Sequence, residues 1–353
     1  MKEKQRILVA SLNWGLGHST RCIPIINALI NQDFEPIIAS DGAALLFLKK
    51  EFPKLLALEL PCYHIRYPKK STYFKFHFLK SIPKIYTTIQ QERQQTDKII
   101  RDLNITGIIS DNRLGVVSNK VPTVFMTHQI TVLSGLTSWL STKVHQYYIE
   151  KYDECWIPDH QEHGNLSGKL GRNTSIKIPV KYLGPLSRFK KRKTTMKYDF
   201  LILISGPEPQ RSFFEELLLK TFKYYSGNII MVRGVIEQEV SQINYGNMTI
   251  YNFLSSNELE KVINQSHNVI SRSGYSTIMD LAKLSKKAFF IPTPGQYEQI
   301  YLAKSLQEKG IAYSCKQENF NIEAIKNMKG FSGFLSTDFT TNYKKLFHLF
   351  HSE

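Results

Sequence analysis

The sequence predicts an α/β protein of two domains, each a parallel sheet wrapped by helices. Three observations carry this expectation. Short apolar runs recur without a polar face, as strands buried on both sides require: Arg6 to Ser11, Ile105 to Ser110, Phe200 to Ile204 and Ala288 to Pro292. Glycine turns and amphipathic segments separate them, so strand and helix alternate along the chain. The 353 residues suit about two domains, each with a substantial core.

Composition narrows the class. Hydrophobic residues at 42% and charged residues at 22% exclude a disordered chain, and no apolar run approaches the roughly 18 residues needed to span a bilayer. The start, MKEKQRILVASLNWGLGH, has a basic lead, but its apolar run breaks before a signal-peptide core forms, so it reads as a first strand. Cys22, Cys62, Cys155 and Cys315 make neither a CxxC pair nor a zinc-spaced cluster, so a reducing cytoplasm and no metal site are expected. The formal charge of +16 favours anionic partners, namely nucleotides, nucleic acid or an acidic lipid surface.

In chain order, the first strand is followed by Asn13-Trp14-Gly15-Leu16-Gly17-His18, read as a loop ahead of a helix carrying Ile23, Ile26, Ala28 and Leu29. Glycines allow a tight turn at the C-terminal end of a parallel strand, where such sheets place their ligands. A dinucleotide GxGxxG would need glycine at Thr20, so His18 at the sheet mouth is the stronger signal. Arg21, one turn on, either approaches a phosphate or solvates the helix face. Phe34 to Ser40 is a second strand, with Asp41-Gly42 as its turn. From Pro61 to Arg101, Tyr63, Tyr67, Tyr73, Phe74, Phe76, Phe78 and Tyr86 interleave with Arg66, Lys69, Lys70, Lys75, Lys80 and Lys84. That mixture suits an interface with anionic lipid, or equally a helical hairpin with an aromatic core and solvated lysines. No nucleic-acid motif accompanies it.

Ile105 to Ser110 delivers Asp111, Asn112 and Arg113 to the same mouth, and Val121 to Thr127 delivers His128 and Gln129. If the sheet is parallel, His18, Asp111 and His128 converge, and one of them could serve as base with another as its orienter. Tyr152 to Pro158 reads as the last strand of this half, Leu183 to Leu186 as the crossing, and the basic run 188–193 as a solvated linker. Ile229 to Arg233 and Met248 to Tyr251 are strands of the second half. Within 269–303 a strand ends at Val269-Ile270, Ser273-Gly274 turns the chain, and Ser276-Thr277 can cap a helix with Ile278, Leu281 and Ala282 on one face. Such a strand-turn-helix aims backbone N–H groups and the helix dipole at one point, where phosphate binds. Asp280 could accept two hydrogen bonds from a ribose diol. The closing stretch, Phe339 to Phe350, looks amphipathic.

These residues carry a resemblance. Ser271-Arg272-Ser273-Gly274, Ser276-Thr277, Asp280 and Glu298-Gln299, together with the Gly15-Leu16-Gly17-His18 loop, resemble the MurG-like (family 28) group of GT-B glycosyltransferases and its UDP-glycosyltransferase relatives. The resemblance implies two Rossmann-like domains facing a central cleft: residues 1–183 on the acceptor side, 184–335 binding the nucleotide sugar, and 336–353 as a helix returning to the first domain. On that basis Ser273, Gly274, Ser276 and Thr277 meet a diphosphate, Asp280 a ribose and Glu298 and Gln299 the donor sugar. Phe253 and Leu254 read uracil, and Arg211 contacts phosphate from a loop in which Pro207 and Pro209 remove backbone donors. Gly17 lines the donor cleft, and Gly15 and His128 lie on the acceptor side. Asp280 stands where the family usually has Glu, Glu298 where it often has Asp or Gln, and Gln129 where it has Glu.

The expected function is therefore transfer of a sugar from a UDP-sugar to an acceptor hydroxyl, with inversion, without metal or cofactor, and with His18 or Asp111 as base. The acceptor is open, with a lipid or a glycan as candidates, and nucleic acid is not expected. The expected location is the cytoplasm, with peripheral attachment to the inner membrane face through 61–101 as an option. The rivals are a sugar-nucleotide 2-epimerase on the same fold and a non-catalytic sugar-nucleotide or nucleic-acid-binding protein.

Overall fold

The computed structural model of the protein describes residues 4–63, 74–162, 164–172, 175–335 and 341–351, with residues 74–81 described by their backbone alone. The chain divides into two compact units. The first holds residues 4–63, 76–186 and 341–351, and the second residues 74–75 and 187–335.

The first unit contains β1 (Arg6–Ser11), α1 (Gly17–Asn31), β2 (Glu35–Ser40), α2 (Gly42–Glu51), β3 (Ala57–Glu59), α3 (Phe74–Leu103), β4 (Ile105–Asp111), β5 (Thr123–Met126), α4 (Ser138–Ile149), β6 (Glu154–Ile157) and β7 (Val180–Tyr182). Its strands lie in the order β3-β2-β1-β4-β5-β6-β7, and every pairing is parallel. Ile7, Leu8, Val9 and Ala10 are fully buried, which is why β1 reads as an unbroken apolar run. The winding reverses between β1 and β4. Loops leaving the C-terminal ends of strands at such a reversal diverge and open a crevice, the usual ligand position in these sheets.

The second unit contains β8 (Tyr198–Leu203), α5 (Gln210–Phe222), β9 (Ile229–Val232), β10 (Gln242–Tyr245), β11 (Met248–Tyr251), α6 (Ser256–Asn264), β12 (Ser266–Ser271), α7 (Tyr275–Lys283), β13 (Lys287–Phe290), α8 (Tyr297–Glu308) and β14 (Tyr313–Ser314). The order is β10-β11-β9-β8-β12-β13-β14, parallel except for β10 against β11. Here the reversal falls between β8 and β12. Phe214, Leu218, Phe222, Met231, Ile270 and Phe289 pack the core beneath it.

Four sequence expectations need correction. The strand at 154–157 is not the last of its half, because β7 adds to its edge. Gly17 and His18 sit in the first turn of α1, not in a loop before it. The basic run 188–193 is not a bare linker: Phe189 is buried, and the Lys190 N–H (2.7 Å) and Arg192 Nε (2.5 Å) both bond the Glu260 carboxylate. The closing segment forms only a short helix, α9 (Tyr343–Leu346), and a 3-10 turn over Phe347–Phe350. Phe347 and Phe350 are nevertheless buried in the first unit against Trp156, with ring centroids 6.1 Å away in both cases. Gly107 in β4 makes room there, since a Cβ would run into the Phe350 ring. Of the aromatic and basic stretch 61–101, Arg66, Tyr67, Lys69, Lys70 and Tyr73 lie outside the described residues. The side chains of Phe74, Lys75, Phe76, Phe78 and Lys80 do too.

Candidate active site

In the first unit the residues at the switch point come together as the parallel register requires. His18 stands one turn past β1 and Asp111 ends β4, with Ser11 paired to Asp111 across the two strands. His18 Nδ1 lies 2.9 Å from Asp111 Oδ1. Gly15 has φ +76°, a left-handed conformation that lets the chain turn from β1 into the helix.

Arg21 corrects both readings offered for it. It neither solvates α1 nor reaches outward: it is 2% exposed, and its Nε bonds Asp111 Oδ2 at 2.6 Å while Nη2 pairs with Oδ1. Its Nη1 donates to His128 Nδ1 at 2.9 Å. His18, Asp111 and His128 are thus gathered around one buried guanidinium. Burial alone would raise the Asp111 carboxyl, but the Arg21 charge and His18 outweigh it and hold it at about 2. Burial, and then Arg21, push the His18 imidazole below its usual 6.5 against the pull of Asp111. At neutral pH the pair is a neutral ring beside an ionised carboxylate, the electrostatic state a proton acceptor needs.

The tautomer decides what the ring can do. Nδ1 also lies 2.8 Å from Arg21 Nη2, and one ring nitrogen cannot donate to Asp111 while accepting from Arg21. With the proton on Nδ1 and donated to Asp111, Nε2 keeps a lone pair and can take a proton. With Nδ1 accepting from Arg21, Nε2 carries the proton and cannot.

Beneath this site lies an ion network that the sequence did not reveal. Arg113, expected at the mouth, is fully buried: it donates to Ser11 O (2.8 Å) and Glu92 Oε1 (2.7 Å) and pairs with Asp41. Tyr63 Oη donates to Glu92 Oε2 at 2.6 Å, and Asn13 Nδ2 to Asp41 Oδ2 at 3.0 Å. The ends of β1, β2 and β4 are therefore tied to α3 by charge-assisted hydrogen bonds, which fixes the loop that leads into α1 and His18.

In the second unit, Ser273 and Gly274 follow β12 at the reversal. Gly274, not Ser276 or Thr277, occupies the cap position of α7, and no side chain caps that helix. Ser276 and Thr277 lie in its first turn, and a Cβ on Gly274 would meet nothing within 4 Å. An uncapped helix start beneath open space presents N–H groups to an anion. Ser273 faces elsewhere: it is buried, and its hydroxyl donates to Gln299 O at 2.8 Å, joining the starts of α7 and α8. Gln299 Oε1 accepts the Thr293 N–H at 2.8 Å, which fixes the orientation of its amide. Glu298 is in the first turn of α8.

Asp280 is half-buried one turn beyond Thr277, and Ser187 Oγ donates to its Oδ1 at 2.6 Å. Burial lifts its carboxyl to about 6, against the Arg188 charge and the Ser187 hydrogen bond. Arg211 is already engaged, its Nε with Glu208 (2.7 Å) and its Nη1 with Glu215 (2.8 Å), so a phosphate there would compete with two carboxylates. The Phe253 N–H is taken by Asn252 Oδ1 at 2.9 Å, which shifts any base-reading donor to Leu254. A cavity of about 1140 Å³ borders the α8 entry, lined by Pro292, Thr293, Gly295, Ile300 and Lys304, but it includes neither Asp280 nor the start of α7. Among the described residues no cluster of three or more His, Cys, Asp or Glu could hold a metal.

Comparison with known proteins agrees with the fold. Residues 214–328 match the glycosyltransferase family 28 C-terminal domain. The chain is 26% identical over 244 residues to the UDP-N-acetylglucosamine–N-acetylmuramyl-(pentapeptide) pyrophosphoryl-undecaprenol N-acetylglucosamine transferase of Buchnera aphidicola, covering 65% of each chain. To the transferase of that name from Rickettsia bellii it is 25% identical over 242 residues, covering 65% of this chain and 67% of that one. The match thus spans just under two thirds of the Buchnera relative. Among solved structures, the glycosyltransferase SnogD of Streptomyces nogalater superposes with a TM-score of 0.60 at 12% identity, covering 92% of this chain and 91% of that one. Acinetobacter baumannii MurG superposes at 0.51 and 11% identity, covering 93% and 90%. The fold is GT-B, and within the second unit residues 214–328 are similar to the glycosyltransferase family 28 C-terminal domain.

Proposed function

We propose that the protein is a glycosyltransferase that moves a sugar from a UDP-sugar to an acceptor hydroxyl, with inversion at the anomeric carbon. The observation that carries the reading is the His18–Asp111 pair, a neutral imidazole held by an ionised carboxylate at the switch point of the first unit. In the productive tautomer His18 Nδ1 donates to Asp111 and Nε2 takes the acceptor proton as the oxygen attacks. Asp111 fixes the ring and stabilises the imidazolium that forms. The nucleotide is the leaving group, and its developing charge falls to the N–H groups at the start of α7 with the Ser276 and Thr277 hydroxyls. Asp280 takes the ribose, and Glu298 with Gln299 Nε2 takes the donor sugar.

For the acceptor, the relatives are named for a pyrophosphoryl-undecaprenol substrate, and a lipid-borne acceptor is the reading adopted here. It agrees with a basic protein working at the cytoplasmic face of a membrane as a peripheral enzyme. The test is a thermal-shift screen over UDP-, TDP- and GDP-sugars, followed by incubation of the stabilising donor with polyprenyl-phosphate lipids. UDP-sugars should raise Tm, and the lipid should acquire the sugar. Epimerised donor formed without any acceptor would replace transfer by 2-epimerisation, and no shift with any nucleotide would leave a non-enzymatic role.

A further inference from the structure

The loop between β1 and α1 is pinned on both sides of an exposed tryptophan. The Leu12 N–H bonds Asp111 O at 3.1 Å and Ser40 Oγ donates to Ser11 O at 2.7 Å, so the chain leaving β1 is fixed to β2 and β4. Asn13 then crosses to α2: its Nδ2 donates to Asp41 Oδ2 at 3.0 Å and its Oδ1 accepts the Ala44 N–H at 3.3 Å. The Asp41 side chain does not cap α2, so Asn13 supplies an acceptor to that helix start. Gly42 lies against the Asn13 amide, where a Cβ would collide with Nδ2. On the far side Gly15 is left-handed, at φ +76°, and Leu16 O accepts the Thr20 N–H at 2.9 Å as α1 begins. Between these anchors Trp14 stands 42% exposed, whereas Trp156 in β6 is fully buried. Its chain neighbours are Asn13, engaged with α2, and Gly15, which has no side chain. Along the loop the indole is therefore a single flat surface and not part of an apolar stripe.

We propose that Trp14 is a stacking platform for the sugar ring that carries the acceptor hydroxyl. Shape and polarity select this occupant. A pyranose lays a face of C–H groups on the electron-rich face of an indole and keeps its hydroxyls at the rim, and one indole matches one such ring in area. Position agrees with it. His18 is four residues further on, so it lies at most about 14 Å along an extended chain from Trp14, and closer here because Gly15 turns the backbone. A sugar resting on Trp14 thus lies beside the imidazole. Because both flanks are fixed, the platform is oriented before the acceptor arrives and little freedom is lost on stacking. The buried network of Arg113, Asp41 and Glu92 then acquires a purpose, since it holds platform and base at a set separation. The role of the stacked ring as acceptor rests on the transferase reading; stacking itself needs neither donor nor turnover.

Trp14 can report its own occupancy. In a Trp139→Phe background only Trp14 and the buried Trp156 remain as tryptophans, so a change in emission reads the platform. Among methyl glycopyranosides of the common hexoses and N-acetylhexosamines, at least one should give a saturable blue shift, with Kd on the order of 1 mM, and adding Trp14→Phe should abolish it. In transfer from the stabilising UDP-sugar to a sugar-bearing polyprenyl diphosphate, Trp14→Ala should raise acceptor KM about tenfold to a hundredfold, the order expected for one ring stacked on one aromatic side chain. kcat and UDP affinity should stay near wild type, Tm should hold because the position is exposed, and Trp14→Phe should recover most of the KM. No shift with any glycoside, or an unchanged acceptor KM in Trp14→Ala, overturns the proposal. So does a loss of UDP affinity with acceptor KM unchanged, which would put the nucleotide on the indole. Transfer to a polyprenyl phosphate without a sugar, unaffected by Trp14→Ala, overturns the platform and leaves the transferase reading standing. A saturable glycoside shift without transfer would keep Trp14 as a sugar site and remove the enzymatic reading.

Discussion

Arg21→Met isolates the electrostatic centre of the first unit. The substitution keeps an apolar stem of similar length but leaves Asp111, fully buried, without its guanidinium partner. Removing one member of a buried ion pair costs about 3–5 kcal/mol, because the remaining charge stays desolvated. The pH dependence carries a second signature. In the wild type the Asp111 carboxyl is depressed from 3.8 to about 2. Its stabilisation, about 2–3 kcal/mol, is fully present above pH 3.8 and is lost as pH falls toward 2. In the variant, burial is unopposed by Arg21 and the carboxyl rises above its usual value, so the variant gains stability on acidification where the wild type loses it. The two unfolding curves should converge between pH 7 and pH 3. Urea unfolding followed by tryptophan fluorescence reads this directly, since Trp14, Trp139 and Trp156 all lie in the first unit. Arg21→Met with Asp111→Leu should be less destabilised than Arg21→Met alone. A loss below about 1 kcal/mol at pH 7, the magnitude of an exposed surface pair, would refute the buried-pair account.

Other outcomes follow from the same geometry. Because burial and Arg21 hold the His18 imidazole below 6.5, the acid limb of the kcat/KM profile should fall below that pH, activity being lost as the ring protonates; a limb above 7 would contradict a neutral resting imidazole. Asp280→Ala should weaken UDP binding by about 1–3 kcal/mol in calorimetry, and unchanged affinity would remove Asp280 from the nucleotide site. Since the Asp280 carboxyl is lifted to about 6, the folded protein keeps a proton that the unfolded chain releases above pH 3.8, so stability should decline as pH rises from about 4 to 6. Asp280→Asn should flatten that slope in Tm measured against pH. Lys69, Lys70, Lys75 and Lys80 changed together to Glu should lower flotation with anionic liposomes if 61–101 shares in the membrane surface; equal flotation would return that stretch to a structural role.

The fold was legible where burial wrote it into composition. β1, β4 and β8 are apolar runs because both faces are covered, and the turns after β1 and β12 carry glycine at a real change of direction. The edges were not legible. β7 is three half-buried residues, and β10 is four exposed ones that pair only because Gly246, at φ +62°, folds them back on β11. The convergence of His18, Asp111 and His128 could be read from strand ends alone, since a parallel sheet delivers all such residues to one edge. The role of Arg21 could not. A charge among apolar helix positions reads as solvated unless its partner is known, and Asp111 is 90 residues away. The signal available was its spacing: Arg21 lies one turn before Ile25, on the buried face of α1. Arg113 and Glu92 were hidden for the same reason.

The most direct test of the central claim compares His18→Ala with wild type in sugar transfer from the UDP-sugar that stabilises the protein, alongside UDP affinity by calorimetry. A positioned general base contributes about 10²–10⁴-fold, so turnover should fall by that order while UDP affinity stays near wild type, because the residues proposed to hold the nucleotide lie in the other unit. Asp111→Asn should cost less if it only orients the ring. Full turnover in His18→Ala would contradict the account, and would pass the base to Asp111 only if Asp111→Asn were then inactive.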